Sequence, residues 1–91
     1  MLILGTWKTE CTAGVLVKKT MTFYDDGNVK MKTEDGELQE GKWQIVDDEI
    51  MFWVNEEYST TKIKVDGDVF KGQITIKETG ENIEIKGERV N

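Results

Sequence analysis

Apolar and polar residues alternate with a period of two along most of the chain, and the alternation stops at short stretches rich in Gly, Asp, Glu and Asn. Successive side chains of a strand point to opposite faces, so this pattern describes strands with one face in a core and one in water. Eight segments carry it. Residues 3–11 align Ile3, Trp7, Thr9 and Cys11 against Thr6, Lys8 and Glu10. Residues 15–24 turn Val15, Val17, Met21 and Phe23 inward, and parity places Lys19 among them. Residues 29–33 set Val29, Met31 and Thr33 against two lysines, and residues 38–46 align Gly41, Trp43 and Ile45. Residues 50–54 are apolar on both faces, with Ile50, Phe52 and Val54 on one and Met51 and Trp53 on the other. Residues 58–65 align Thr61, Ile63 and Val65, and residues 69–77 align Phe70, Gly72, Ile74 and Ile76. The last segment, 83–89, puts Ile83, Ile85, Gly87 and Arg89 on one face.

The connections are short: 12–14, 25–28, 34–37, 47–49, 55–57, 66–68 and 78–81. Asp25-Asp26-Gly27-Asn28 is the strongest turn signal, because Asp, Gly and Asn tolerate positive φ. Short connections force successive strands to pair antiparallel. A meander with one apolar face most simply curls until its first and last strands meet, which also removes the exposed edges. The predicted fold is therefore all-β, an eight-stranded antiparallel up-and-down meander closed into a barrel, with no long helix. A faint repeat relates Gly5-Thr6-Trp7 to Gly41-Lys42-Trp43 and Asp26-Gly27 to Asp66-Gly67. Two four-stranded halves would produce it, and so would similar hairpins needing similar turns.

At 91 residues the chain is read as a single domain, 1–91. Its net charge of -6 argues against a nucleic-acid backbone or an anionic membrane surface as partner. Met1-Leu2-Ile3-Leu4 runs straight into Gly5 without a basic n-region, which is not a signal-peptide pattern. No stretch approaches the roughly 18 apolar residues of a membrane helix. Cys11 is the single cysteine, so a reducing, cytoplasmic compartment is expected, with export left open if a signal has been removed. There is no His, which takes away the commonest general base and metal ligand. No enzyme activity, cofactor or metal is expected.

Gly5-x-Trp7 opening such a barrel, with Gly87-Glu88-Arg89 ending the last strand, resembles the lipocalin-like (calycin) barrels. The resemblance implies that Trp7 plugs one end and that Arg89 packs over it. The chain is shorter than a secreted lipocalin and lacks that group's other motifs and its disulfides. It is more similar to the small lipocalin-like domains of uncharacterised bacterial proteins, a likeness that implies no activity.

The candidate chemistry is sparse. Cys11 reads as a nucleophile only with a basic neighbour, and otherwise as a small core filler. Lys19 is either an inward anion-binding group or the mark of a bulge or a snorkelling stem. The turn carboxylates divide equally between the two ends and form no calcium-loop pattern. Met51 and Trp53 read as an interface, through which the chain would form a homodimer, or as residues covered by Met1-Leu2 or a bulge. The large inward residues should nearly fill the barrel. That leaves a shallow cup at the open end, lined by Thr9, Cys11, Val15, Val17, Thr33, Val54, Thr61 and Ile76, with Lys19 nearby. The expected function is binding of a small apolar or amphipathic ligand there. The alternative is a protein-interaction or inhibitor barrel acting through its loops or the Met51/Trp53 face.

Overall fold

The computed structural model describes residues 3–12 and 14–90. Eight strands follow one another: β1 (Gly5–Thr12), β2 (Leu16–Phe23), β3 (Asn28–Thr33), β4 (Leu38–Val46), β5 (Glu49–Trp53), β6 (Ser59–Asp66), β7 (Val69–Ile76) and β8 (Asn82–Arg89). Each pairs antiparallel with its successor, and β8 pairs with β1, so the sheet closes into a barrel. No helix occurs among the described residues. The strand ends differ from the alternation by a residue or two, because turn hydrogen bonds set them. Tyr24 leaves β2 because its N–H donates to the Asn28 carbonyl and its own carbonyl accepts from Gly27, whose φ is 86°. The expected connection at 12–14 includes Ala13, which lies outside the described residues, as do Met1 and Leu2.

The inward positions build one continuous core of Ile3, Trp7, Met21, Phe23, Val29, Met31, Ile50, Phe52, Ile63, Phe70 and Ile85. Rings occupy much of the interior. Trp7 lies 5.0 Å from Phe70, and Phe23 meets Phe52 edge-on at 5.4 Å. Such tilted and edge-on contacts suit the ring quadrupoles. Thr9 and Thr61 are buried with them, and the Thr9 hydroxyl donates to the Lys19 carbonyl at 3.1 Å. No buried side-chain polar atom among the described residues lacks a partner.

Four inward assignments change. Val15 stands in the β1–β2 connection and is 69% exposed, and Val54 lies just past β5 and is 46% exposed. Ile45 keeps its pairing opposite Ile50 yet is 49% exposed, since it is the last inward position before the β4–β5 turn. Trp43 is half-buried rather than enclosed. Its ring edge meets Phe23, and its indole N–H donates to the Tyr24 carbonyl at 2.7 Å, so it lids the β2–β3 turn.

Closing eight strands around so small an interior brings backbones close, and glycines mark those places. A Cβ at Gly72 would stand 1.9 Å from the Lys62 carbonyl oxygen, and one at Gly87 would stand 2.4 Å from the Phe70 ring. Phe70 thus lies against the bare backbone of Gly87. Replacing Gly by Ala elsewhere often stabilises by restricting the unfolded chain. Here the sign reverses. Gly87→Ala should lower the unfolding free energy by about 1–3 kcal/mol, the usual cost of overpacking, as read by denaturant titration. Gly72→Ala should cost at least as much, because it meets backbone rather than a ring that can tilt.

Candidate functional site

The two ends of the barrel differ. At the end holding the β2–β3, β4–β5 and β6–β7 turns, the chain enters from Ile3 and Leu4. Gly5 has φ 116°, a conformation that suits glycine and bends the chain into β1. Ile3 is thereby tucked in with no exposed surface, and its carbonyl accepts the Trp7 indole N–H at 2.8 Å. Trp7 is fully buried, and the Arg89 guanidinium lies 4.3 Å from its ring centroid. Arg89 also donates to the Leu4 carbonyl at 2.7 Å and to Asp68 at 3.1 Å. One cation therefore holds the entering segment, the indole face and the β6–β7 turn together. Guanidinium geometry suits the task, with a flat face for the ring and edge N–H groups for the oxygens.

The other end, with the β1–β2, β3–β4, β5–β6 and β7–β8 connections, is where the cup is expected. Lys19 does face inward. The β1–β2 register runs unbroken from Gly5 opposite Phe23 to Thr12 opposite Leu16, so of the alternatives for Lys19 the bulge is absent. Lys19 sits in a cross-strand row between Thr9 and Thr33, one inward position above the buried Met21. Its ammonium donates to Gln39 Oε1 at 3.3 Å. Cys11 pairs with Val17 on one side and Ile85 on the other. Burial pushes the Cys11 thiol above its ordinary pKa, and the nearby Lys19 charge offsets part of that. Across the mouth, Thr61 pairs with Ile74 and Ser59 with Ile76.

Thr33 is otherwise engaged. Its hydroxyl donates to Asp35 and accepts the Glu37 N–H at 3.0 Å, so it braces the β3–β4 turn instead of lining the cup. The same hydroxyl and the Glu37 N–H hold the Asp35 carboxyl below its usual range. Val15 and Val54 belong to the rim. Two features of this end escaped the sequence reading. Gln39 shares the inward parity of Gly41 and Trp43 and was legible from it. The second is an exposed apolar rim of Val15, Leu16, Leu38, Val54 and Tyr58, with Leu38 at 73% the most exposed. Its members flank three different connections, so no local window groups them.

Met51 and Trp53 face outward, as parity requires, opposite Gln44 and Lys42. Both are half-buried rather than fully exposed, and the β4–β5 register shows no bulge. Met1 and Leu2, expected as a cover, lie outside the described residues. No three metal-ligating side chains gather among the described residues. No family model matches the chain, and no curated protein matches it.

Two measurements probe this geometry. Trp7→Ala should cost about 3–5 kcal/mol by leaving a cavity at the plugged end. Arg89→Ala should cost about 1–2 kcal/mol through the lost ring contact, with Arg89→Lys between them and wild type. Loss of stability by Arg89→Ala of no more than an exposed lysine variant would sink the closure role. For Cys11, a raised folded pKa means the thiolate opposes the fold. Stability tied to this group is present below the ordinary thiol pKa and is lost as pH rises beyond it. Iodoacetamide should alkylate the native protein slowly at pH 8 and the denatured protein at the free-thiol rate. Equal rates would contradict the burial.

Proposed function

We propose that the chain is a non-enzymatic binding barrel of lipocalin-like type that takes a small amphipathic ligand at its open end. The observation that carries this reading is Lys19. A lysine facing inward above Met21, beneath an apolar rim, is an expensive placement for a charge unless something polar meets it there. Gln39 supplies one acceptor, and an ammonium has three donors. An apolar body against Val17, Ile76 and the rim, with an anionic or polar head toward Lys19, matches the lining. The filled interior below leaves depth for a small molecule and not for a long chain. The lipocalin-like part of the reading, and the likeness to bacterial domains, rests on Gly5-x-Trp7 and Arg89 meeting at the plugged end. A cytoplasmic setting suits the single half-buried thiol.

A second reading has its own observation. Five exposed apolar residues flank three connections at this end, a surface that a partner protein or a second copy would cover, making the chain an interaction or inhibitor barrel. The Met51/Trp53 wall is less suited to that role, being half-buried already.

Titration with anilinonaphthalene sulfonate, a small anion with an apolar body, separates the readings. Saturable one-site binding is expected, weakened about tenfold by Lys19→Met through loss of the charge-assisted contact. A long-chain fatty-acid probe followed by tryptophan fluorescence should not saturate in the micromolar range. A native mass spectrum showing a stable dimer, with dye binding unaffected by Lys19→Met, would favour the interaction barrel instead.

A further inference from the structure

The acids of this chain crowd into its turns, whereas most of its lysines lie on the outer wall of the barrel. On that wall the register lines up Lys64, Lys71 and Lys86 directly across β6, β7 and β8. Like charges directly opposite one another in an antiparallel sheet are destabilising. The row continues differently. Glu10 of β1 follows Lys86, Lys18 of β2 follows Glu10, and Glu10 pairs with both, at 3.8 Å and 4.0 Å. An acid between two lysines is what the sheet provides on one side and lacks on the other. Lys64 and Lys71 have no carboxylate within ion-pair distance among the described residues. The missing counter-charge lies beside a groove of about 650 Å³ on the outer wall, lined by Lys8, Lys18, Lys32, Lys71 and Lys86.

We infer that this groove docks an extended acidic segment of a partner protein, whose carboxylates supply the negative charge that the wall lacks. The dimensions favour a chain over a small ion. From β3 to β7, by way of β2, β1 and β8, the groove crosses four strand spacings, about 19 Å, which an extended peptide covers in about six residues. The charge pattern favours a peptide over a nucleic acid. Glu10, Glu34 and Glu88 stand among the lysines, and an unbroken row of phosphates would meet them at every turn. A peptide can set its acids against the lysines and leave neutral residues opposite the glutamates. There is no arginine in the groove, so the bidentate grip on phosphate is missing too. Val69, 43% exposed, adds an apolar contact at the groove's edge. This inference concerns the outer wall and stands independently of the cup at the mouth.

The test reads stability and binding together on the full chain. Lys71→Glu places an acid between Lys64 and Lys86, so it should raise the melting temperature by a few degrees. The same change should weaken an alternating Glu-Ser dodecapeptide, followed by fluorescence anisotropy at low salt, about tenfold. Lys77→Glu, in the β7–β8 connection, should leave both readouts near wild type. Opposite movement of stability and affinity is the expected signature of a charge kept for a partner. The inference is overturned if wild type does not bind the peptide, or if Lys77→Glu weakens it as much as Lys71→Glu. It is equally overturned if Lys71→Glu lowers the melting temperature, or if a single-stranded oligonucleotide of equal length binds more tightly than the peptide.

Discussion

Everything in this molecule depends on the seam between β1 and β8, where the ends of a linear meander become neighbours. Five residue pairs make it, from Trp7 opposite Arg89 to Cys11 opposite Ile85. Those two side chains at the first pair do more than meet. Trp7 fills the end of the interior, and Arg89 ties the entering segment and the β6–β7 turn to it. Without the seam the sheet would have two long free edges and a half-open apolar face. With it, the curvature is set, and the strands must approach one another closely enough that Gly41, Gly72 and Gly87 admit no side chain.

The seam also explains why the two ends behave differently. At the plugged end, Trp7, Trp43 and Arg89 each donate to a backbone carbonyl of the entering chain or of a turn, and Arg89 also donates to the Asp68 carboxylate. Polar groups there are matched one to another. At the mouth the inward positions carry Lys19 and Gln39, and the rim carries exposed Leu38 and Val15. Matched polar contacts gather at one end, and exposed apolar side chains at the other. The outer wall adds a separate asymmetry, basic around the waist and acidic in the turns, which the net charge alone conceals.

The strands were legible because each lies between core and water, so a period of two is imposed on every one of them. The closed order was legible because the connections leave no room for anything but neighbours. What parity could not say was depth. Ile45 and Trp43 have inward parity but stand at the edge of the core, where direction no longer means burial. Lys19 was the reverse case: a charge at an inward position suggests a slipped register, yet it sits high enough for its ammonium to reach Gln39. Thr33 has the direction of a cup residue, while its hydroxyl is committed to its own turn. The rim and the lysine row were hidden for one reason. Both assemble residues from several strands, and only the register between strands brings them side by side.

The seam has a topological meaning as well. Arg89 donates to the carbonyl of Leu4, and the Val90 N–H donates to the Thr6 carbonyl at 2.8 Å. Positions at opposite extremes of the numbering are thus bonded neighbours, and β8 meets β1 by the same antiparallel ladder that joins every other pair. The wall is a ring in which no strand is first. The order in which the ribosome delivers the strands is one cut of that ring among eight. A circularly permuted chain, joined between residues 90 and 3 so that Ile3 stays in the core, and opened in any exposed turn, carries the same set of strand neighbours. What the permutation would change is the cost of closing the seam. In the natural order it joins partners about 80 residues apart, the longest loop in the fold, so the last contact to become local is the one on which the others rely.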